Sequence, residues 1–154
     1  MIQRIQSLYL LIVALLIGVT LFAPLASFLS ESGAFELRAF TLQTDGGEVL
    51  NLTIYLGLLL VAACLFPLVT ICCFRNRMLQ IRLCFVELVL LVGALVMEGA
   101  YYYLGCRLFA DAAVSVHSLR VASALPIVCL LFVGLAIRAI FRDELLVRGA
   151  DRIR

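Results

Sequence analysis

Four apolar stretches, each close to the thickness of a bilayer, leave this chain few architectures to choose from. They run Leu8–Leu29, Leu52–Phe74, Leu83–Leu104 and Val121–Phe141. A helix rises about 1.5 Å per residue, so about 20 apolar residues cross a hydrocarbon core of roughly 30 Å. With 65% hydrophobic and 14% charged residues and a mean hydropathy of +1.17, the composition lies far from that of a soluble domain. The spans use more than half of the 154 residues, so a second globular domain does not fit. The expectation is one all-α membrane domain over residues 1–154, a bundle of four transmembrane helices.

Charge orients such a bundle. All twelve basic residues are arginine. Arg4, Arg75, Arg77, Arg82, Arg138, Arg142, Arg148, Arg152 and Arg154 fall on one side of a four-span layout; only Arg38, Arg107 and Arg120 fall on the other. The positive-inside bias therefore predicts that both termini and the 74–82 loop are cytoplasmic. The opposite loops carry Glu31, Glu36, Asp45, Glu48 and Asp111. The first stretch is longer than a signal-peptide core and lacks a following small-x-small site, so it reads as a retained helix.

Between the first two spans, residues 34–42 partly alternate apolar and polar side chains. Asp45-Gly46-Gly47 then suits a turn before residues 48–52. This predicts a short extracytoplasmic hairpin leaning on the helix ends. The first helix is expected to end between Pro24 and Ser30. Pro67 and Pro126 fall inside the second and fourth spans, where each would remove an amide donor and kink its helix. Ala14-x-x-x-Gly18 offers a close helix approach, and Tyr101-Tyr102-Tyr103 an aromatic anchor at the headgroup layer.

Three segments resemble a known family. Residues 1–11 (Met-Ile-Gln-Arg-Ile-Gln-Ser-Leu-Tyr-Leu-Leu), residues 74–84 (Phe-Arg-Asn-Arg-Met-Leu-Gln-Ile-Arg-Leu-Cys) and residues 138–148 with Asp151-Arg152-Ile153-Arg154 are similar to domain-of-unknown-function family 4293, a bacterial membrane-protein family. The resemblance implies four helices, a bacterial inner membrane and no assigned activity. It supplies no catalytic residue.

Glu87 and Glu98 are the two acids within a span. Eleven residues is nearly a whole number of helical turns, so both lie on one face, about 16 Å apart. A charge there costs at least a few kcal/mol and calls for a partner or water. Arg138 lies at a depth similar to Glu87, which predicts an ion pair. Glu98 is a polar site within reach of Arg107, His117 or Arg120. The same face could serve a small transporter or channel component.

Six cysteines raise a redox alternative. A membrane thiol oxidase needs Cys-x-x-Cys at its outer face, where only Cys106 is placed. Cys72, Cys73 and Cys84 lie around the cytoplasmic loop without a fourth ligand or zinc-like spacing. Cys64 and Cys129 lie within spans, where free Cys acts as a small hydrophobe. A single histidine, His117, cannot provide two axial haem ligands. Neither a phosphate loop nor a hydrolase motif is present. The reading is of no catalysis, no metal, no cofactor and no nucleic-acid partner.

The tail from Arg142 interleaves Leu145, Leu146 and Ile153 with Arg148 and Arg152, and Glu144 and Arg148 form a favourable i,i+4 pair. It reads as an amphipathic helix on the cytoplasmic surface. Arg75, Arg77, Arg82, Arg142, Arg148 and Arg152 are thus candidate contacts for lipid headgroups or a protein partner. The leading expectation is a small accessory subunit with its specific surface in the cytoplasm, bound to a membrane or cytoplasmic partner or to further copies of itself. A transporter component using Glu87 and Glu98 comes second and a redox protein third.

Overall fold

The computed structural model describes residues 3–30, 33–44, 48–73, 76–108 and 116–151. Four helices dominate: α1 (Gln3–Phe22), α2 (Ile54–Cys72), α3 (Arg77–Leu108) and α4 (Leu125–Asp151). Each, α4 together with the turn that leads into it, provides a segment long and apolar enough to cross a membrane: Ile5–Phe22, Ile54–Cys72, Met78–Leu108 and Val121–Asp143. The helices pack as a ring, each against its neighbours in sequence, with α1 closing on α4. Only 28–33% of each apolar segment is buried inside the bundle. The remainder, including Leu15, Leu58, Val89, Val96 and Leu131, forms an exposed apolar belt. A bundle apolar both inside and out is built for a lipid solvent.

The core comes from one stripe per helix. Leu10, Val13 and Ile17 of α1 meet Leu56, Leu60 and Ala63 of α2, Cys84, Leu91 and Ala94 of α3, and Cys129, Val133, Ala136 and Ile140 of α4. The spacings of three and four residues bring each stripe to one helical face. Gln80 of α3 is buried and its Nε2 donates to the Thr70 carbonyl, 3.1 Å away, in the last turn of α2. That bond satisfies one of the carbonyls that a helix end leaves without a partner.

The all-α expectation needs correction. Among the described residues five strands, β1 (Ala26–Ser30), β2 (Gly33–Leu37), β3 (Thr41–Thr44), β4 (Val49–Leu52) and β5 (Val116–Leu119), form one sheet in the order β4-β3-β2-β1-β5. All neighbours are antiparallel. The expected turn residues 45–47 lie outside the described residues, but β3 and β4 pair across them. The stretch read as one strand, 34–42, is instead two, broken where the Arg38 amide donates to the Thr41 carbonyl. The first helix ends at Phe22, just before the expected Pro24–Ser30 window, because Pro24 lacks an amide and disfavours helix in the residue before it. Ala26–Ser30 leaves the helix as the strand that holds β2 on one side and β5 on the other.

The sheet caps the bundle where α1 and α3 end and α2 and α4 begin. Phe28 of β1 is fully buried, over Gly105 of α3 and beside Tyr102, with ring centroids 5.7 Å apart. Phe40, in the β2–β3 connection, lies over Gly57 of α2. Thr53 locks the same corner: its Oγ1 lies 3.0 Å from the Arg38 carbonyl and 3.2 Å from that of Ala39. Tyr101 and Tyr102 therefore pack under the sheet, and only Tyr103 projects as an anchor, 61% exposed with Arg107 against its ring.

Two further expectations change. Pro126 sits in the first turn of α4, after a 3-10 turn over Val121–Ala124. An absent amide costs nothing there and no kink is needed. Gly18 has open space around it, so Ala14-x-x-x-Gly18 makes no close crossing within the chain. α2 continues through Pro67 as one helix.

Candidate functional site

One face of α3 carries the polar chemistry of the bundle. Ile81, Cys84, Glu87, Leu91, Ala94 and Glu98 are all buried, at spacings of three or four residues that keep them on a single face. Glu87 is 1% and Glu98 7% exposed. The shared face read from their eleven-residue spacing is what the structure shows.

Glu87 lies among three helices' thiols, near enough to Cys64, Cys84 and Cys129 for electrostatic interaction. Those of Cys64 and Cys129 point elsewhere, toward the carbonyls of Ala14 at 3.6 Å and Val13 at 3.9 Å on α1. Both carboxyl oxygens of Glu87 are buried without a hydrogen-bond partner. The expected Glu87–Arg138 ion pair is therefore not formed. Matched depth was the basis for expecting it, but α4 buries Ala136 and Ile140, and a residue two places from each lies about 200° around the helix. Arg138 accordingly faces out and is exposed.

Glu98 borders a cleft of about 480 Å³ between α3 and the chain entering α4. Its walls are Leu95 and Gly99 of α3, Tyr102, and Leu119, Val121 and Ile127 opposite; Arg120 and Ser123 complete the rim. Glu98 Oε1 is buried without a hydrogen-bond partner. Of its three expected neighbours, Arg120 shares the cleft, Arg107 lies over Tyr103, and the His117 side chain is outside the described residues. The cleft was not legible in the sequence. It exists because β5 pairs with β1 and brings Leu119 and Arg120 back over α3.

The rim is held by backbone. The Arg120 amide donates to the Leu25 carbonyl at 2.9 Å, and the Arg120 carbonyl accepts from the Ser123 amide at 3.0 Å and the Ser123 hydroxyl at 2.8 Å. Two residues away on each strand, the Ser27 and Ser118 hydroxyls meet at 2.7 Å across β1 and β5.

The six cysteines are unpaired, and no group of three or more His, Cys, Asp or Glu side chains is arranged to hold a metal among the described residues. Cys106 packs against the sheet's core cluster. At the opposite end of the bundle, Arg82 and Arg142 are exposed. Arg77 and Arg148 lie on α3 and α4 with side chains outside the description, and Arg75 and Arg152 are outside the described residues. Arg38 instead pairs with Glu36 on the sheet, at 3.0 Å.

A family model described as "Domain of unknown function (DUF4293)" matches residues 2–153, as the resemblance of the three segments implied. The chain belongs to that family. No curated protein matches it.

Proposed function

We propose that the protein works by binding within the membrane rather than by covalent chemistry, holding a cationic group against the carboxylate face of α3. The observation that carries this reading is Glu98, a buried side chain that borders a mostly apolar cleft and whose Oε1 has no hydrogen-bond partner. A carboxyl so placed costs several kcal/mol and is retained where it meets a ligand, an ion or a proton path. A charge-assisted hydrogen bond contributes about 1.5–3 kcal/mol. Binding of dodecylammonium to the protein in maltoside micelles, followed by native mass spectrometry, should therefore weaken about tenfold or more in Glu98→Gln. It should be unchanged in Glu48→Gln, on the sheet side. Equal binding by wild type and Glu98→Gln would remove the proposal.

The accessory-subunit reading has its own support. α4 continues to Asp151, eight residues past its apolar segment, or about 12 Å of helix. It carries Arg142 and Arg148 to the same end of the bundle as Arg82. On this reading the surface is cytoplasmic, in a bacterial inner membrane with both termini inside, as the nine-to-three arginine split favours. A reporter active only outside the cytoplasm should stay silent when fused after Arg154. Loss of a co-purifying soluble protein on truncation after Asp143 would favour docking as the main role.

A further inference from the structure

We infer that the Glu98 cleft receives a phospholipid whose headgroup carries a primary ammonium, with the ammonium against Glu98 and the phosphate against Arg120. This rests on the cation-binding reading above and names the ligand's class. Three features of the cleft select it.

The first is charge. Glu98 and Arg120 both border the cleft, Glu98 within and Arg120 at the rim, so one acidic and one basic side chain are available to an occupant. A simple amine answers only the carboxylate and a simple anion only the guanidinium. An ammonium and a phosphate joined by a short linker answer both. Arg suits phosphate because its planar fork donates two parallel hydrogen bonds. The Arg120 backbone is tied on both sides, to Leu25 and to Ser123, so the guanidinium starts from a fixed point.

The second is the rim. Leu119, Val121 and Ile127 border the cleft while 59%, 85% and 54% exposed. They join the exposed apolar surface of α3 and α4 that includes Val92, Val96 and Leu131. A soluble zwitterion would leave this rim in contact with nothing suited to it, whereas acyl chains extend the headgroup's contact along it. The occupant is amphiphilic and arrives sideways, from the bilayer.

The third is donor chemistry. Glu98 Oε1 is buried and without a partner, so it needs an N–H rather than charge alone. A primary ammonium supplies three N–H donors and a choline group none.

The test uses the full chain purified from micelles containing equal amounts of ethanolamine, choline and glycerol phospholipids with identical acyl chains. Native mass spectrometry should show the ethanolamine lipid retained at least about fivefold over each of the others. Glu98→Gln should abolish the preference for ethanolamine over glycerol headgroups. Arg120→Gln should lower retention of phospholipid but leave dodecylammonium binding intact. Free phosphoethanolamine should not compete at millimolar concentration. Equal retention of the three lipids, with dodecylammonium binding still dependent on Glu98, would overturn the lipid assignment and leave the cation reading standing. Loss of neither in Glu98→Gln would overturn both. Competition by free phosphoethanolamine would replace the lipid with a soluble ligand. Equal maleimide labelling of Cys106 in all variants shows that the sheet remains seated.

Discussion

Gly105→Ala should unseat the sheet from the bundle and cost about 1–3 kcal/mol, the usual range for overfilling a packed site. A methyl group built at Gly105 lies 2.6 Å from Phe28 Cζ and 3.1 Å from both Cε atoms. The Phe28 ring cannot move aside. It is fully buried, it stands on the strand held between β2 and β5, and Tyr102 packs against it. Gly57→Ala makes an informative contrast. There the ring overhead is Phe40, which is 43% exposed in a turn and can swing outward. Gly57→Ala should therefore lower the melting midpoint less than Gly105→Ala. Maleimide labelling of Cys106, located by mass spectrometry, should accelerate in Gly105→Ala because Cys106 lies in the same cluster. Adding Phe28→Leu should restore part of the lost stability. A Gly105→Ala protein with unchanged melting and labelling would show that the Phe28 contact does not hold the cap in place.

The same contacts mark what the sequence made legible. The spans were plain, because a long apolar stretch has only one stable backbone in lipid: a helix that satisfies its own amides. The apolar composition of Ala26–Ser30 continues that of α1, and only Pro24 signals the break. β5 is four residues long, and its partner β1 lies about ninety residues earlier. Local pattern cannot announce such a pairing. The shared face of Glu87 and Glu98 was legible because both sit on one helix, where spacing fixes angle. The Glu87–Arg138 pairing was not, because depth along two helices says nothing of azimuth; the apolar positions Ala136 and Ile140, flanking Arg138, held that information. Gly57 and Gly105 were legible in principle, since glycine within a helix costs about 1 kcal/mol relative to alanine and needs a reason. The reason in each case is a phenylalanine ring from the sheet.

Glu87→Leu should raise stability, by about 1–4 kcal/mol if Glu87 behaves as buried ionic groups do when replaced by apolar residues of similar size. Glu87 is 1% exposed, both oxygens lack hydrogen-bond partners, and its surroundings are thiols and aliphatic side chains. In either protonation state a carboxyl in such a place forfeits hydrogen bonds that it makes in water. Leucine forfeits none and fits between Cys84 and Leu91 on the same face. Glu87→Gln keeps a polar group in need of partners, so it should gain less than Glu87→Leu. Arg138→Leu should change stability little, since Arg138 lies on the exposed side of α4 and does not serve Glu87. The measurement is the melting midpoint of each variant in one detergent, beside a double variant of Glu87 and Arg138. Additive effects in the double variant would agree with independent sites. A Glu87→Leu protein less stable than wild type by 1 kcal/mol or more would mean that the carboxyl is held by a favourable partner. Arg138 would remain excluded by geometry, and a cation bound at the centre of the bundle would become the reading to test. The membrane-facing cleft at Glu98 and the buried carboxyl at Glu87 would then be two stations on one helix face rather than one site and one internal cost.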